Sequence, residues 1–302
     1  MSGIGITVGV ATCGRPDALG RCLRGLAAQS APPSEVIVVD QAPSEEARAG
    51  VEASGLAAVR YLEQPRLGLS ASRNLALASA TEPVLAVTDD DCVPDPSWLA
   101  AVTLALERRP TPSAVTGPVL PLGDASPDTV ALSLRESNLP IDHSGRVIPW
   151  SVGTGGNFVA RVSALRGCGG WDVRLGAGSG GQAGEDAELF YRLLLAGALI
   201  RYEPTALVLH ERQTRERRWA TRWSYGYGVG AMCGLWLARR DAYALRMLAA
   251  YSRFHLRLVL GGVRHRDRAR IAAHARALAS LAPGLVYGLR AARTSPSSSL
   301  AQ

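Results

Sequence analysis

Three consecutive carboxylates, Asp89, Asp90 and Asp91, follow an apolar run at residues 84–88. On a strand, alternation sends Asp89 and Asp91 to one side and Asp90 to the other. Like charges this close repel each other, and proteins usually neutralise such a cluster with a cation or a proton. A few carboxylate oxygens suit Mg²⁺ or Mn²⁺ that is shared with a bound phosphate. A solvated acidic turn before Pro94 explains the triplet alone equally well.

A second acidic pair, Glu185 and Asp186, opens a predicted helix at residues 185–196. The loop before it, residues 176–184, contains five glycines, which is typical of a moving lid or of a disordered segment. Acidic side chains in the first turn of a helix also complement the helix dipole, so the pair has a structural interpretation as well.

The elements that must position these acids alternate short β-branched runs with helical patterns. Such alternation predicts an α/β fold with a mostly parallel sheet flanked by helices. The apolar runs that end in Asp40 and Asp89 are typical of buried parallel strands, and ligands of α/β sheets bind at the carboxyl ends of such strands. The predicted strands are residues 4–10, 36–40, 59–63 and 84–89, and the predicted helices are residues 18–29, 45–53, 70–80 and 98–109.

The remainder of the chain is less regular. Residues 110–150 are rich in Pro, Ser and Asp, whereas residues 153–161 and 198–208 are predicted strands. From residue 214 onward only helical patterns occur, up to a serine-rich end. We therefore predict an α/β domain at residues 1–213, a basic, aromatic-rich helical extension at residues 214–293 and a disordered tail at residues 294–302.

Composition excludes several classes of protein. The 302 residues are 47% hydrophobic and 20% charged, which is typical of a globular protein and not of a disordered one. Five cysteines without a C-x-x-C spacing predict neither a disulfide framework nor a zinc site and favour a reducing compartment. We find neither a signal peptide nor a run of 18 apolar residues, so we expect a cytoplasmic protein that does not span a membrane.

The charges are unevenly distributed along the chain. Residues 1–199 carry 15 Arg and 21 acids, a net charge of −6, whereas residues 200–302 carry 18 Arg and 5 acids, a net charge of +13. Six arginines of the extension fall within about 40° of one helical direction, although Gly261 and Gly262 are candidates to break that helix. Such a stripe beside aromatic residues favours peripheral attachment to an anionic membrane surface, on the inner face of the cell membrane, while a solvated face on a packed helix and a homodimer contact are alternatives. The arginines are residues 239, 246, 253, 257, 264 and 268, and the aromatic residues are Trp219, Trp223, Tyr225, Tyr227 and Trp236.

Five segments, taken in order, resemble the family 2 inverting glycosyltransferases, whose nucleotide-sugar-binding domain has the GT-A fold. The resemblance extends from Ile4 to His210 and implies a Rossmann-like, mostly parallel sheet to which the helical extension is appended. Each segment alone is a weak signal, and their order makes the resemblance specific. The segments are VGVATCGRPDALGRCLRGLAAQS, VIVVD, GLSASRNLALASA, TDDDCVPDPSWL, and GGNFVARVSALRGCGGWDVRLG followed by GEDAELFYRLLLAG.

The resemblance implies a site for the sugar donor. Asp91 becomes a ligand of Mg²⁺ or Mn²⁺, Asp89 contacts the ribose or reaches the metal through water, and Asp90 supports them. His210 would reach the metal or the diphosphate, although a lone histidine more often has no ligand role. Asp40 would accept the imino hydrogen of a uracil-like base; its alternative is a turn or helix N-cap residue.

Three further residues belong to the implied donor site. Thr12 and Arg15 lie on the loop after the first strand, where the family packs the nucleobase. Arg73 would contact a phosphate or the base, since a guanidinium suits either. The alternatives are a surface ion pair between Arg15 and Asp17 and an ordinary exposed helical position for Arg73.

The resemblance also implies an acceptor side of the site. Asp186 becomes the general base that takes the proton of an acceptor hydroxyl, which is otherwise a poor nucleophile at neutral pH. Glu185 is expected to touch the acceptor or to hold the loop. Trp171 would form a platform for a sugar ring or fill the core, and Asn157 is ambiguous in the same way.

The sequence therefore predicts a metal-dependent inverting glycosyltransferase that moves a sugar from a nucleoside-diphosphate sugar, with UDP or TDP, to a hydroxyl of a glycan, lipid-linked or secondary-metabolite acceptor. A nucleotidyltransferase is the nearest alternative, but TCGRP at residues 12–16 is a poor match to the phosphate loop of that class. The basic extension alone would suggest binding to nucleic acid, against which the acidic first domain argues. A catalytically inactive homologue that binds anionic surfaces is a further alternative.

Overall fold

The computed structural model describes residues 4–131 and 137–294. Strands and helices alternate through the first hundred residues, as the sequence predicts. Apart from Thr294, the predicted tail lies outside the described residues. The strands are β1 (Ile6–Thr12), β2 (Glu35–Asp40), β3 (Val59–Glu63), β4 (Val84–Asp89), β5 (Cys92–Pro94), β6 (Ala114–Thr116), β7 (Val119–Pro121), β8 (Thr129–Val130), β9 (Ile141–His143), β10 (Phe158–Arg161), β11 (Ile200–Tyr202), β12 (Val208–His210) and β13 (Gln213–Thr214). The helices are α1 (Pro16–Ala27), α2 (Glu45–Glu52), α3 (Leu69–Ser79), α4 (Trp98–Glu107), α5 (Val162–Gly167), α6 (Glu185–Leu195), α7 (Arg215–Ala238), α8 (Tyr243–Arg264), α9 (Arg268–Ala279) and α10 (Leu281–Thr294).

The central sheet has the strand order β3-β2-β1-β4-β10-β6-β11-β9. The strands β3, β2, β1 and β4 are parallel, and β10 runs antiparallel to both β4 and β6. Thr12 pairs with Asp40 and Ala11 pairs with Asp89, so the carboxyl ends of three strands meet at one edge. This arrangement confirms the predicted α/β fold with a mostly parallel sheet.

Helices cover both faces of the sheet and bury its apolar side chains. On one face, Leu23 of α1 and Trp98 of α4 share a core with Val38 of β2. On the other face, Leu189 of α6 packs in a core with Phe158 of β10. Each such side chain contributes about 1.5–3 kcal/mol when it is fully buried. The strands that end at the site are therefore fixed by packing on both sides.

Two predicted strands differ from the observed ones. The strand predicted at residues 198–208 is two strands, because a turn at Pro204 and Thr205 sends β11 into the central sheet and β12 into a separate sheet with β5 and β7. A proline lacks the N–H that continues a ladder. The glycine-rich start of the strand predicted at residues 153–161 forms the 3-10 turn Gly155–Asn157, and only Phe158–Arg161 is strand.

The predicted arginine stripe does not lie on one helix. Arg239 follows the end of α7 and Arg268 begins α9, so that only the arginines at residues 246, 253, 257 and 264 share α8. Gly261 and Gly262 do not break that helix. A Cβ at Gly262 would lie 2.8 Å from the side chain of Ile271, so this glycine allows α9 to pack closely on α8.

The helical extension shares a core with the α/β domain. Tyr191 of α6 packs edge-on against Trp236 of α7, with 4.9 Å between the ring centroids. Glycines of α7 and α10 pack against each other's backbone, because a Cβ at Gly234 would lie 2.4 Å from the carbonyl oxygen of Leu285. The predicted boundary at residue 213 thus falls between two parts that pack as one body. None of the helices in the described ranges is long and apolar enough to cross a membrane.

Candidate active site

A cavity of about 520 Å³ opens at the carboxyl ends of β1 and β4. Ligands of α/β sheets bind at this edge. The cavity is lined by charged residues from elements far apart in sequence, among them Arg15, Arg73, Asp89, Asp91 and Asp186. The fold therefore brings the two predicted acidic segments into one site.

The acidic triplet does not alternate as the sequence predicts. The strand β4 ends at Asp89, and Asp90 and Asp91 form the turn into β5. Asp90 is fully buried, accepts a hydrogen bond of 2.8 Å from Thr12 Oγ1 and pairs with Arg15. Asp91 accepts a hydrogen bond of 2.7 Å from the same guanidinium. Arg15 therefore holds Asp90 and Asp91 together, which excludes its predicted surface pair with Asp17 and corrects the expected opposition of Asp90 and Asp91.

Asp90 supports the turn from inside the protein. Burial raises the pKa of Asp90 to about 7, against the opposing effects of Arg15 and the Thr12 hydroxyl. Asp91 lines the cavity and Asp90 does not, so Asp91 is the residue of this turn that is exposed to the cavity.

Asp91 and His210 form the part of the site that could hold a metal ion. His210 Nδ1 lies 2.6 Å from the carbonyl oxygen of Glu211, which can only accept, so Nδ1 carries the proton. In the neutral imidazole, the lone pair of Nε2 then lies near Asp91 Oδ1, 3.4 Å away. Two acceptors at this distance are stabilised by a cation between them.

The donor set fits a divalent ion. Asp91, His210 and Cys92 each offer one ligand atom, and these atoms lie within 4.8 Å of one another. Burial raises the pKa of the Cys92 thiol well above its ordinary value, so this sulfur stays protonated and is a poor ligand. A carboxylate together with an imidazole suits Mn²⁺, whereas Mg²⁺ prefers oxygen ligands alone.

Arg73 connects the acidic segment after β4 to the acidic pair that begins α6. Its guanidinium donates to Asp89 Oδ1 at 2.9 Å through one terminal nitrogen and to Asp186 Oδ1 at 2.5 Å through the other. The second nitrogen also lies 3.4 Å from Glu185 Oε1. The Arg73 side chain is only 3% exposed, so the structure excludes the alternative of an exposed helical arginine.

Asp186 and Glu185 begin α6 in a desolvated environment. Burial raises the pKa of Asp186, and burial together with the charge of Asp186 raises the pKa of Glu185 to about 8. The indole Nε1 of Trp171 donates to Asp186 Oδ1 at 3.3 Å. A Cβ at Gly155 would overlap Asp186 Oδ2, so the glycine at that position makes room for the carboxylate.

The glycine-rich loop at residues 176–184 is ordered. Leu69 N donates to the carbonyl of Ala177, and Gly181 N donates to the carbonyl of Arg174, each at 2.9 Å. The interpretation of this loop as a disordered segment is therefore wrong, and its hydrogen bonds fix the start of α6.

Two residues predicted for the acceptor side have structural contacts instead. Trp171 is fully buried in the core with Phe158, which contradicts a sugar platform and favours the core alternative. Asn157 is 1% exposed, accepts from Trp98 Nε1 at 2.9 Å, and donates to the carbonyl oxygens of Pro118 and Ala206. Neither side chain offers a surface to an acceptor.

Asp40 is also engaged within the protein. Its Oδ2 accepts a hydrogen bond of 2.6 Å from the Tyr61 hydroxyl, and its Oδ1 accepts one of 2.8 Å from the backbone of Ala42. The adjacent Gln41 lines the cavity, and Asp40 does not. These contacts correspond to the turn alternative, and recognition of a base by Asp40 would require one of these oxygens to accept a second hydrogen bond.

The helical extension contributes residues that the sequence did not assign to the site. Arg217 and Tyr225 of α7 line the cavity together with Trp150, and Arg217 Nη2 lies 4.0 Å from Asp91 Oδ2. The only signal in the sequence was the cluster of arginines and aromatic residues at the start of the extension, which also predicted a membrane contact. The site therefore spans both predicted domains.

Comparisons with known proteins identify the family of this chain. The model of the family described as glycosyl transferase family 2 matches residues 7–167. The pre-mycofactocin glycosyltransferase of Mycobacterium tuberculosis (strain ATCC 25618 / H37Rv) is 33% identical over 168 residues, which are 54% of this chain and 34% of that protein. The succinoglycan biosynthesis protein ExoM of Rhizobium meliloti (strain 1021) is 33% identical over 215 residues, which are 68% of this chain and 66% of that protein.

A solved structure shows the same fold. The mannosyltransferase PcManGT of Pyrobaculum calidifontis, in complex with GDP-Man and Mn²⁺, superposes with a TM-score of 0.64 at 19% identity, over 94% of this chain and 88% of that one. At that identity the likeness shows the fold alone. The segments that resemble the family occur in its order and lie on the GT-A type sheet described above. Because the family model also matches more than half of the sequence, this chain belongs to glycosyl transferase family 2.

Proposed function

We propose that this protein is a metal-dependent inverting glycosyltransferase that moves a sugar from a nucleoside-diphosphate sugar to an acceptor hydroxyl. The observation that carries the proposal is the position of Arg73, which bonds both Asp89 after β4 and Asp186 at the start of α6. Arg73 thus joins the carboxylate that we assign to the donor and the carboxylate that we assign to the acceptor, and both line one cavity.

On the donor side, Asp91 and His210 would hold Mn²⁺ or Mg²⁺. A bound divalent ion supplies stabilisation of the charge that develops on the leaving diphosphate, worth several kcal/mol. Arg15 and Arg217 place two further positive charges beside Asp91, and both line the cavity. Thr12 on the same wall and the residues around Asp40 are assigned to the nucleoside, which we take to be uridine or thymidine.

On the acceptor side, Asp186 acts as the general base. The acceptor oxygen attacks the anomeric carbon, the bond from that carbon to the diphosphate breaks, and the hydroxyl proton moves to Asp186. A single displacement of this kind inverts the configuration at the anomeric carbon. Because burial raises the pKa of Asp186, its carboxylate is a stronger base than an exposed one, while the charge of Arg73 favours its ionised form. Glu185 lies beside it and lines the same cavity.

The nucleotide site can be tested by thermal unfolding of the full chain with UDP, TDP, GDP or ADP, each with and without Mn²⁺ or Mg²⁺. A ligand at 100 times its Kd stabilises the native state by about 2.7 kcal/mol, which shifts the Tm measurably. We expect one diphosphate to stabilise the wild type only with metal, and Asp91→Ala to lose the shift. Asp17→Ala removes an exposed acid of α1 and serves as the matched control. Absence of any metal-linked shift in the wild type would reject the proposal.

The acceptor is proposed to be a glycan, a lipid-linked glycan or a secondary metabolite, reached at an anionic membrane surface. Five apolar side chains of α8 are each more than half exposed, and four of them form a row beside the exposed arginines of the same helix. Apolar side chains flanked by cations favour the boundary between headgroups and acyl chains of an anionic bilayer. The row consists of Leu245, Leu256, Leu260 and Val263, and the arginines are those at residues 246, 253, 257 and 264.

A further inference from the structure

A second cavity, of about 440 Å³, lies between α7, α8 and the end of the glycine-rich loop. Its walls are mainly aromatic and aliphatic, with one arginine, and its volume is in the range of small-molecule sites. We name it the α7–α8 cavity. Its lining includes Trp150, Arg222, Val229, Tyr251, Phe254 and His255.

The α7–α8 cavity adjoins the active-site cavity. Trp150, Ala183, Gly184 and Tyr225 line both. Gly184 immediately precedes Glu185, and Asp186 is the next residue of the same helix. A molecule that occupies the α7–α8 cavity can therefore extend one end to the carboxylate that we assign as the general base.

Two arginines beside this cavity lack counterions. Arg218 and Arg222 lie one turn apart on α7 and are partly buried. Within residues 4–131 and 137–294, neither guanidinium has a hydrogen bond or an ion pair with a carboxylate. Burial and, to a smaller extent, the charge of Arg222 lower the pKa of Arg218 to about 10; burial also lowers the pKa of Arg222.

Several other buried or partly buried arginines in the described ranges are paired with carboxylates, unlike these two. Arg73 bonds Asp89 and Asp186, and Arg192 bonds Glu188. Partly desolvated cations are stabilised when an anion binds them, and a phosphate accepts from two guanidinium groups at once. The histidine of the cavity does not supply the missing charge, because burial lowers the pKa of His255 to about 4 and leaves it neutral at pH 7.

We propose that the α7–α8 cavity binds the acceptor, and that this acceptor is a phosphorylated amphiphile. Its apolar body lies among Val229, Tyr251 and Phe254, and its phosphate is bound by Arg218 and Arg222. The hydroxyl to be glycosylated then faces Asp186. This assignment rests on the proposed glycosyltransferase activity, which it deepens by naming the class of acceptor.

The test uses dodecyl phosphate, below its micelle concentration, as the probe in calorimetric titrations of the full chain. We expect the wild type to bind it at least about tenfold more tightly than inorganic phosphate, because burial of the alkyl chain adds apolar area. We expect Arg218→Gln/Arg222→Gln to weaken binding about tenfold or more, because the phosphate loses its two cations. Arg290→Gln/Arg293→Gln removes the same charge from exposed positions of α10 and is expected to leave the Kd within about twofold.

Every outcome decides the proposal. Equal loss in both double variants would show adsorption to the basic surface, and equal affinity for inorganic phosphate would show that the apolar walls are not used; either result overturns the assignment. If the cavity variant has a lower Tm, Arg222→Lys, which retains a cation, must recover part of the affinity. If a nucleoside diphosphate and Mn²⁺ still stabilise the protein but dodecyl phosphate does not bind to it, the acceptor site alone is overturned. Loss of the nucleotide effect with intact binding of dodecyl phosphate would instead reject the proposed activity.

Discussion

Arg73 lies between Asp89 and Asp186 and donates one terminal nitrogen to each carboxylate. The two acids come from different predicted segments, 97 positions apart in the sequence. A single buried cation thus sets the distance between the donor carboxylate and the proposed base. Because both carboxylates depend on Arg73, its loss is expected to affect both the stability of the site and the reaction.

Replacement of Arg73 is expected to destabilise the protein strongly. Arg73→Gln leaves Asp89, Asp186 and Glu185 without their shared counterion, and breaking a buried ion pair costs about 3–5 kcal/mol. Urea unfolding would measure the loss. Arg48→Gln breaks an exposed pair with Glu63 and is the control, for which about 0–1 kcal/mol is expected. Similar losses in the two variants would contradict the role of Arg73 as a buried bridge.

Removal of the proposed base is expected to slow transfer without loss of the donor. Asp186→Asn keeps the size of the side chain but cannot take the acceptor proton, so kcat should fall by about 10²–10⁴-fold. Nucleotide release with a working acceptor would measure the rate, and nucleotide-dependent Tm shifts would show that the donor still binds. Asp17→Asn is the control for loss of one negative charge. A fall in donor affinity that accounts for the whole loss of rate would contradict this assignment.

The histidine of the metal pair gives a prediction that does not depend on activity. His210→Ala removes the imidazole beside Asp91, so the affinity for Mn²⁺ should fall by about tenfold or more. Titration followed by the electron paramagnetic resonance signal of free Mn²⁺ would measure the Kd. His265→Ala, at an exposed position after α8, should leave the Kd unchanged. Unaltered Mn²⁺ binding by His210→Ala would exclude this residue as a ligand.

Two histidines between α8 and α9 predict a pH dependence of stability. His255 Nδ1 and His274 Nδ1 lie 3.0 Å apart, and burial lowers the pKa of each to about 4. The charges of Arg222 and Arg218 on α7 and of Arg270 on α9 act in the same direction. In the unfolded chain these groups take up protons near pH 6.5, so the free energy of unfolding should fall as the pH drops from about 6.5 to about 4, by on the order of 3 kcal/mol for each histidine.

Denaturant unfolding at several pH values would measure this dependence. His255→Gln/His274→Gln keeps hydrogen-bonding side chains but removes both titrating groups, so its curve should be flatter between pH 4 and pH 6.5 than that of the wild type. His143, elsewhere in the α/β domain, provides a control as His143→Gln. Parallel curves for the wild type and the double variant would refute the assignment of this pH dependence to the pair.

The exposed apolar row of α8 predicts binding to anionic vesicles. Leu256→Ser/Leu260→Ser should reduce cosedimentation with phosphatidylglycerol vesicles about tenfold or more, because each buried side chain contributes about 1.5–3 kcal/mol. Leu104→Ser, at an exposed position of α4, is the control. If the row instead mediates a homodimer, wild-type protein will sediment as a dimer without lipid and the double variant as a monomer.

The strands of the sheet could be predicted because their apolar runs are local and end in acids. VIVVD and VLAVTD are buried throughout except at Asp89, and both strands pair in parallel with β1. The prediction from the local pattern was wrong at the acidic triplet. Side chains alternate only while the strand continues, and β4 ends at Asp89. The path of Asp90 and Asp91 depends on Arg15, a contact across 75 and 76 positions that no local pattern encodes.

The sequence alone does not decide whether Trp171 and Asn157 belong to the core or to the site, and the packing decides it. Trp171 and Asn157 lie in a segment typical of the family, yet both side chains are buried, because the strand β10 and the start of α4 close over them. Conversely, Arg217 and Tyr225 belong to the extension and line the cavity. Their role depends on how α7 packs on the first domain, and the sequence contains no pattern that reports such an angle.

The close packing of α10 on α7 reaches the active site through one aromatic residue. The Tyr287 hydroxyl of α10 donates to the carbonyl of Arg174 at 3.1 Å, and its ring leaves no room for a Cβ at Gly180 of the glycine-rich loop. The helix α10 thus supports the loop that precedes Asp186. Exchange of this loop between relatives, to change the acceptor, would therefore require α10 to be exchanged with it.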